Sequence, residues 1–433
     1  GCSALEHVDD LYSLTRLESG AFAHCASLVS VDCSDKLTFI GDNAFLNCTL
    51  LVSLGDLSSV TAIEYFAFAG CSSLERLEHL DNLVSLGESV FGYGSHYTGC
   101  ISLKSIGDMP KLESMGQKCF VSCTTLETVG DLSSLKEIPY EAFDGCTSLV
   151  SIGDLNNVES IANEAFSNCS ALEHVDKLDK ITSIGQNAFK GCTALKSIGS
   201  LHNLETIGQG AFSGCSALEH VDDLYSLTRL EYDVFSHCVS LISVDCSDKL
   251  TAIGSSAFFG CKALVSIGDL SNVTSIESSV FRGCIALKSI GNMPKLESIG
   301  MQCFMGCTAL ETVGDLSSLK EIPSETFDGC TSLVSIGDLS NVTIIGSYGF
   351  NQCKKLTSIP NLGSLERVDQ FAFSGCESLA LLGNLRKLTS FGNSPFVNSP
   401  FHNCPNLVLE VLPDSAAEQY AKDYNMQYTY ITE

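Results

Sequence analysis

The chain runs to 433 residues with 24 basic against 51 acidic side chains, a formal charge of −27, and 22 cysteines. A surface so acidic, without a lysine or arginine cluster, is repelled by nucleic acid and by anionic membranes, and both are set aside as general partners. No run of about 20 apolar residues occurs, so no segment is expected to insert in a membrane as a helix.

From the N-terminus, Gly1 and Cys2 begin inside a repeated unit, at the Gly-Cys that other units reach only after their phenylalanine. The chain therefore reads as a trimmed piece, with any export signal, N-terminal cap or wall anchor outside it. Cys2, Cys25, Cys48 and Cys71 are each 23 residues apart; a 29-residue step reaches Cys100, the 23-residue step resumes to Cys376, and a 28-residue step ends at Cys404. Eighteen of the 22 cysteines thus form one column, and the chain is one array rather than a row of ordinary domains. "FDGCTSLVSIGDL" at 143–155 returns letter for letter at 327–339, eight units later, and residues 1–18 return at 214–231, so the array has grown by block copying.

Counting each column cysteine as position 0, a unit has Leu at +3, Ile or Val at +6, often Gly-Asp at +7 and +8, and Leu at +9. It continues with Leu or Val at +12, Ile at +15, Phe at +20 and frequently Gly at +22. Phenylalanine fills +20 in seventeen units, from Phe22 to Phe396. A 23-residue unit cannot bury these residues alone, whereas stacked coils give each one an equivalent neighbour above and below. The fold expected is a repeat solenoid of about 17 coils, a curved or superhelical rod on the order of 80 Å long at the strand spacing of about 4.8 Å. Short pieces such as "LVSIG" and "VESIA" read as two parallel strands per coil. "NEAFSNC" reads as a single helical turn. The structural column comprises residues such as Cys146, Cys169 and Cys192 beside Phe143, Phe166 and Phe189.

Residues 1–404 form the array, and 405–433 read as a C-terminal cap. There "NLVLEVLP" is a strand, Asp414 or Ser415 can N-cap a helix to about Tyr424, Asn425 suits its C-terminal turn, and "QYTYI" is a last strand.

The pattern C-x2-L-x2-I…L-x2-I-G-x2-A-F-x-G-C resembles the BspA-like, or Treponema pallidum type, leucine-rich repeats over residues 1 to about 404, and the ending with "SAAEQYAK" resembles the close of many bacterial members. The chain departs from them where "IGDL" replaces the Ile-Pro common after the first strand, which bears on turn shape. The resemblance implies a leucine-rich-repeat fold and a secreted or cell-surface protein of host-associated microbes, acting in adhesion to host proteins and other cells.

Several constellations compete with that reading. Cys119–Cys123 and Cys303–Cys307 have a C-x3-C spacing but no second ligand pair, so no zinc is expected. Disulfides between adjacent coils are geometrically conceivable. Uniform spacing favours instead a buried thiol column acting as small apolar filler. Aspartate at +8, as in Asp10, Asp56, Asp131, Asp154, Asp269, Asp315 and Asp338, could line a calcium ladder, yet one carboxylate per unit is too few ligands and Gly-Asp is ordinary turn chemistry. No catalytic set, nucleophile elbow or phosphate loop is present, and neither enzyme activity nor a cofactor is expected.

Outward positions point to binding. Serine or threonine recurs at +5 and +14, a flat hydroxyl face suited to an extended partner and equally to plain solvation. Two insertions break the beat: "FGYGSHYTGC" brings Tyr93, His96 and Tyr97, and "FVNSPFHNC" brings Phe401 and His402. Insertions in a solenoid map to loops that touch partners, and these five residues are the candidate binding set. The function expected is a non-enzymatic surface scaffold that binds a protein ligand, an extracellular matrix or cell-surface protein among them. The alternative is a structural spacer or fibre-forming stalk displaying another domain.

Overall fold

From the column cysteine to +15 every third side chain of the array's coils is apolar, apart from Ser34 and Ser247 at +9, and that spacing dictates the cross-section of a coil. In the coil that begins at Cys169, Leu172, Val175, Leu178, Ile181 and Ile184 all point inward, followed by Ala188, Phe189 and Cys192, and every one of these is buried. The computed structural model describes residues 1–9, 11–92, 99–392 and 399–431. Its coils gather into two units, Gly1–Asp223 and Leu224–Glu433.

In the first unit the coils contribute short strands, almost all of two residues, that pair in parallel with their counterparts in adjacent coils to form sheets of two to five strands. Thr128 lies opposite Ser151 and Val129 opposite Ile152 in the first-strand column, and Ser160 opposite Ser183 in the second. Strands this short are stable only because the ladder continues from coil to coil. The second unit repeats the plan: Ser275 pairs with Ser298 and Thr312 with Ser335. Its coil from Cys284 buries Leu287, Ile290, Met293, Leu296, Ile299, Cys303 and Phe304 in the same rhythm.

The third side of the coil is not the single helical turn that "NEAFSNC" suggests. It is a run of tight turns closed by i→i+3 hydrogen bonds, as in Ser167 N–H to Glu164 O and Cys169 N–H to Phe166 O, 3.1 and 3.2 Å. Two residues per coil sit in the left-handed region, at +18 and +22: Glu164 has φ +58° and Asn168 φ +60°. Those reversals free every second N–H to bond the next coil, so Phe143 N–H reaches Ala165 O at 2.8 Å and Gly145 N–H reaches Ser167 O at 2.9 Å. A helix would have spent these donors internally. The glycine favoured at +22, such as Gly191 at φ +74°, avoids the Cβ strain of that backbone.

Two side-chain ladders run through this side. Phe143, Phe166 and Phe189 stack with centroids 5.2 and 5.3 Å apart and planes within 4°, and Phe281, Phe304 and Phe327 stack at 5.2 and 5.3 Å with planes within 10° in the second unit. Beyond Phe373 the stack continues with Phe401, at 5.9 Å; Phe396 lies outside the described residues. Phe401 lies three residues before Cys404, the spacing that Phe373 keeps from Cys376.

At the C-terminus Val408–Val411 adds a strand to the first-strand column, the helix Ala416–Asp423 packs against it, and Gln427–Tyr430 pairs in parallel on its far side. Ser415 is the N-cap, its Oγ accepting from Glu418 N–H at 3.2 Å, and Asn425 takes φ +52° after the helix.

Candidate binding faces

Of the five insertion residues, Tyr93, His96 and Tyr97 lie outside the described residues. Phe401, expected as a surface contact, is 6% exposed because it closes the ring stack and meets Tyr420 edge-on at 5.9 Å. His402 is exposed beside it. Both line an open groove of about 670 Å³ between the last coil and the cap, together with Glu377, Cys404, Leu407, Tyr424 and Met426.

The thiols are interior fittings. Along most of the column from Cys48 onward the Sγ–H donates to the carbonyl of the phenylalanine one coil earlier, as in Cys146 to Phe120, Cys169 to Phe143 and Cys192 to Phe166, all 3.1 Å. That carbonyl also accepts the N–H of its own coil's cysteine, Cys146 to Phe143 at 3.1 Å, so both its lone pairs are used. Burial pushes the thiols of Cys123, Cys261 and Cys307 up to about 12. All 22 cysteines are free, 20 of them buried; Cys2 is exposed and Cys404 half-buried. The column packs as a hydrogen-bonded filler.

Aspartate at +8 closes a turn. Oδ1 of Asp56, Asp131, Asp269, Asp315 and Asp338 each accepts the N–H two residues on, at 2.8 Å. Among the described residues no group of three or more His, Cys, Asp or Glu side chains is placed to hold a metal ion.

What faces solvent is a set of columns beside the strands. The hydroxyls at +5 and +14 are exposed or half-buried, as at Ser151, Ser266, Ser160 and Ser298. Flanking them are columns that sequence reasoning passed over. At +4 stand Glu6, Val29, Val52, Glu75, Lys104, Glu127 and Val150; at +13 stand Thr15, Thr38, Thr61, Val84, Glu113, Lys136 and Glu159. The signal was in the sequence, since these are the strand-flanking positions that change character from coil to coil. Threonines at +13 bond the preceding coil, Thr38 Oγ1 to Thr15 O at 2.9 Å and Thr61 Oγ1 to Thr38 O at 3.1 Å. Charges at +4 pair along the stack, Lys104 with Glu75 at 3.2 Å and Lys196 with Glu173 at 2.7 Å. The Lys196 ammonium holds the Glu173 carboxyl below its ordinary range. Such faces offer hydrogen-bond donors, small apolar steps and fixed charges in rows.

The family described as BspA type Leucine rich repeat region (6 copies) matches residues 1–126, 94–196, 182–311 and 297–411. Among solved structures, a leucine-rich repeat protein from Bacteroides ovatus shares 23% identity, with 99% of this chain and 92% of that one covered and a TM-score of 0.42. A leucine rich cell surface protein from Faecalibacterium prausnitzii shares 27% over 75% of this chain and 83% of that one, TM-score 0.42. The T. pallidum leucine rich repeat protein shares 27% over 37% of this chain and 72% of that one, TM-score 0.33. No curated protein matches the chain.

Proposed function

The chain belongs to the BspA type leucine rich repeat family, and from that premise we propose that it is a non-enzymatic, extracellular or surface-held scaffold that binds other proteins in adhesion to host or neighbouring cells. One observation carries the reading. The inward columns hardly vary along the chain, because stacking fixes them, while the +4 column runs through acid, aliphatic and lysine within a few coils. A solenoid whose outward columns vary in rows along a constant interior presents a long recognition surface. The partner is protein rather than nucleic acid, given the charge of −27. Among the described residues no helix is long and apolar enough to cross a membrane.

The stalk reading is weaker. A helix and a further strand packed on the last coil weigh against end-on stacking of chains into a fibre. The test is binding of the chain, and of a variant lacking residues 92–97, to a panel of extracellular-matrix proteins and host-cell surfaces. Saturable binding is expected, and its loss on deletion would assign the contact to Tyr93, His96 and Tyr97. Absence of binding by either form would overturn the scaffold reading in favour of the spacer.

A further inference from the structure

Aligned at an offset of 213, residues 1–71 and 214–284 are identical at 51 of 71 positions. Fifteen of the 20 differences fall between +17 and +2, on the turn side of the coil. The first strand and the corner after it, +3 to +13, differ only by Val29/Ile242, Leu54/Ile267 and Ser59/Asn272. Folding does not explain that asymmetry. Exposed strand-side positions vary freely between neighbouring coils of one copy, yet match between copies, and a recent duplication would have protected both sides of the coil alike.

The matched surface has a specific make-up. Where seven coils have Gly-Asp at +7 and +8, these copies have Asp32-Cys33 and Asp245-Cys246. Tyr12 Oη donates to Asp32 Oδ2 at 3.3 Å in the first unit, and Tyr225 Oη to Asp245 Oδ2 at 3.0 Å in the second. The tyrosines are 54% and 42% exposed, and Val52 and Val265, one coil on at +4, are 44% and 45% exposed. Asp35 and Asp248 stand exposed on the same turns.

Deepening the scaffold reading and resting on it, we propose that the patch of Tyr12, Asp32, Asp35 and Val52 and its counterpart of Tyr225, Asp245, Asp248 and Val265 are two copies of one site for an extended, basic polypeptide segment, so that one chain binds two. Carboxylates beside a phenol and an aliphatic side chain complement alternating cationic and aliphatic residues. Coils about 4.8 Å apart set those contacts in a row that a strand-like segment can follow. Two sites on one chain convert modest single contacts into avidity for a repetitive surface.

The probe is a fluorescein-labelled peptide of alternating lysine and valine, with alternating glutamate and valine as the control, read by titration calorimetry on the full chain. Two equivalent sites are expected for the basic peptide, weakening with salt, and none for the acidic one. Tyr12→Ser with Asp32→Ser should lower the stoichiometry to one, as should Tyr225→Ser with Asp245→Ser, and the four together should abolish binding. Thr49→Lys with Leu50→Ala, which installs the second copy's turn-side residues in the first, should change nothing. Circular dichroism checks that each variant is folded. A single site, two sites indifferent to these substitutions, sensitivity to the turn-side variant, or no binding overturns the assignment. Panel binding that survives the fourfold variant would retain the scaffold and discard these patches, so the two readings fail separately.

Discussion

The array breaks its beat twice, and its two interruptions are absorbed in opposite order. At Phe91 the ring holds its place, 4.9 Å from Phe120, Cys100 N–H still reaches Phe91 O at 2.9 Å, and the six extra residues lie after the ring. At Phe401 the five extra residues come first, and the ring lies three residues before Cys404, as Phe22 lies before Cys25. In both cases phenylalanine and cysteine keep their stacking partners while the sequence between two rings lengthens. The invariant of a coil is therefore the ring-and-thiol core, and residue count is secondary to it.

That contrast can be broken most severely in the ring stack. Phe189→Ala, in the interior of the first unit and fully buried between two parallel rings, should cost about 3–5 kcal/mol in urea unfolding. Phe401→Ala, at the partly open end of its stack, should cost roughly half of that. Next in size is the thiol ladder. Cys169→Ala removes a buried sulfur and one of two donors to Phe143 O, a loss of about 1–2 kcal/mol, while Cys404→Ala should cost less. In native buffer iodoacetamide should label Cys2 and Cys404, and the buried thiols only after denaturation.

Acid sharpens the comparison at the cap. Lys422 Nζ at 2.7 Å, Tyr430 Oη and Asp414 N–H hold the Glu418 carboxyl down to about 2. A carboxyl depressed in the folded state stabilises it above the unfolded value near 4.5, and that contribution is lost as pH falls toward 2. Hydrogen exchange over 408–431 should accelerate across that window and Glu418→Gln should flatten the response, with the interior coils unaffected. The smallest effect belongs to surface ion pairs: Lys196→Ala should leave the urea midpoint unchanged, since both partners are about half exposed.

The period was legible because Cys169, Phe189 and their equivalents have no freedom to vary when each packs on its own copy. The two parallel strands per coil followed from residues such as Ser160-Ile161, where β-branched and hydroxyl residues alternate. The turn side was misread because helical propensity describes a segment that satisfies itself, whereas Glu164 and Asn168 adopt positive φ to satisfy the coil above. Phe401 reads as a surface aromatic in the sequence because composition alone does not show that a ring inside an insertion enters the stack on Phe373. The faces at +4 and +13 were written in the sequence, but as columns, visible only once the coils are laid over one another.

The rungs joining successive coils, Gly145 N–H to Ser167 O on one side and Ser160 opposite Ser183 on another, run along the direction of stacking. A pull in that direction loads them in series, so the outermost coil yields before its neighbours feel more than the same force. Each coil that peels away releases 23 residues, on the order of 80 Å of extended chain. Tension on such a stack is taken up as length, one coil at a time, and the coils still wound keep their surface columns intact.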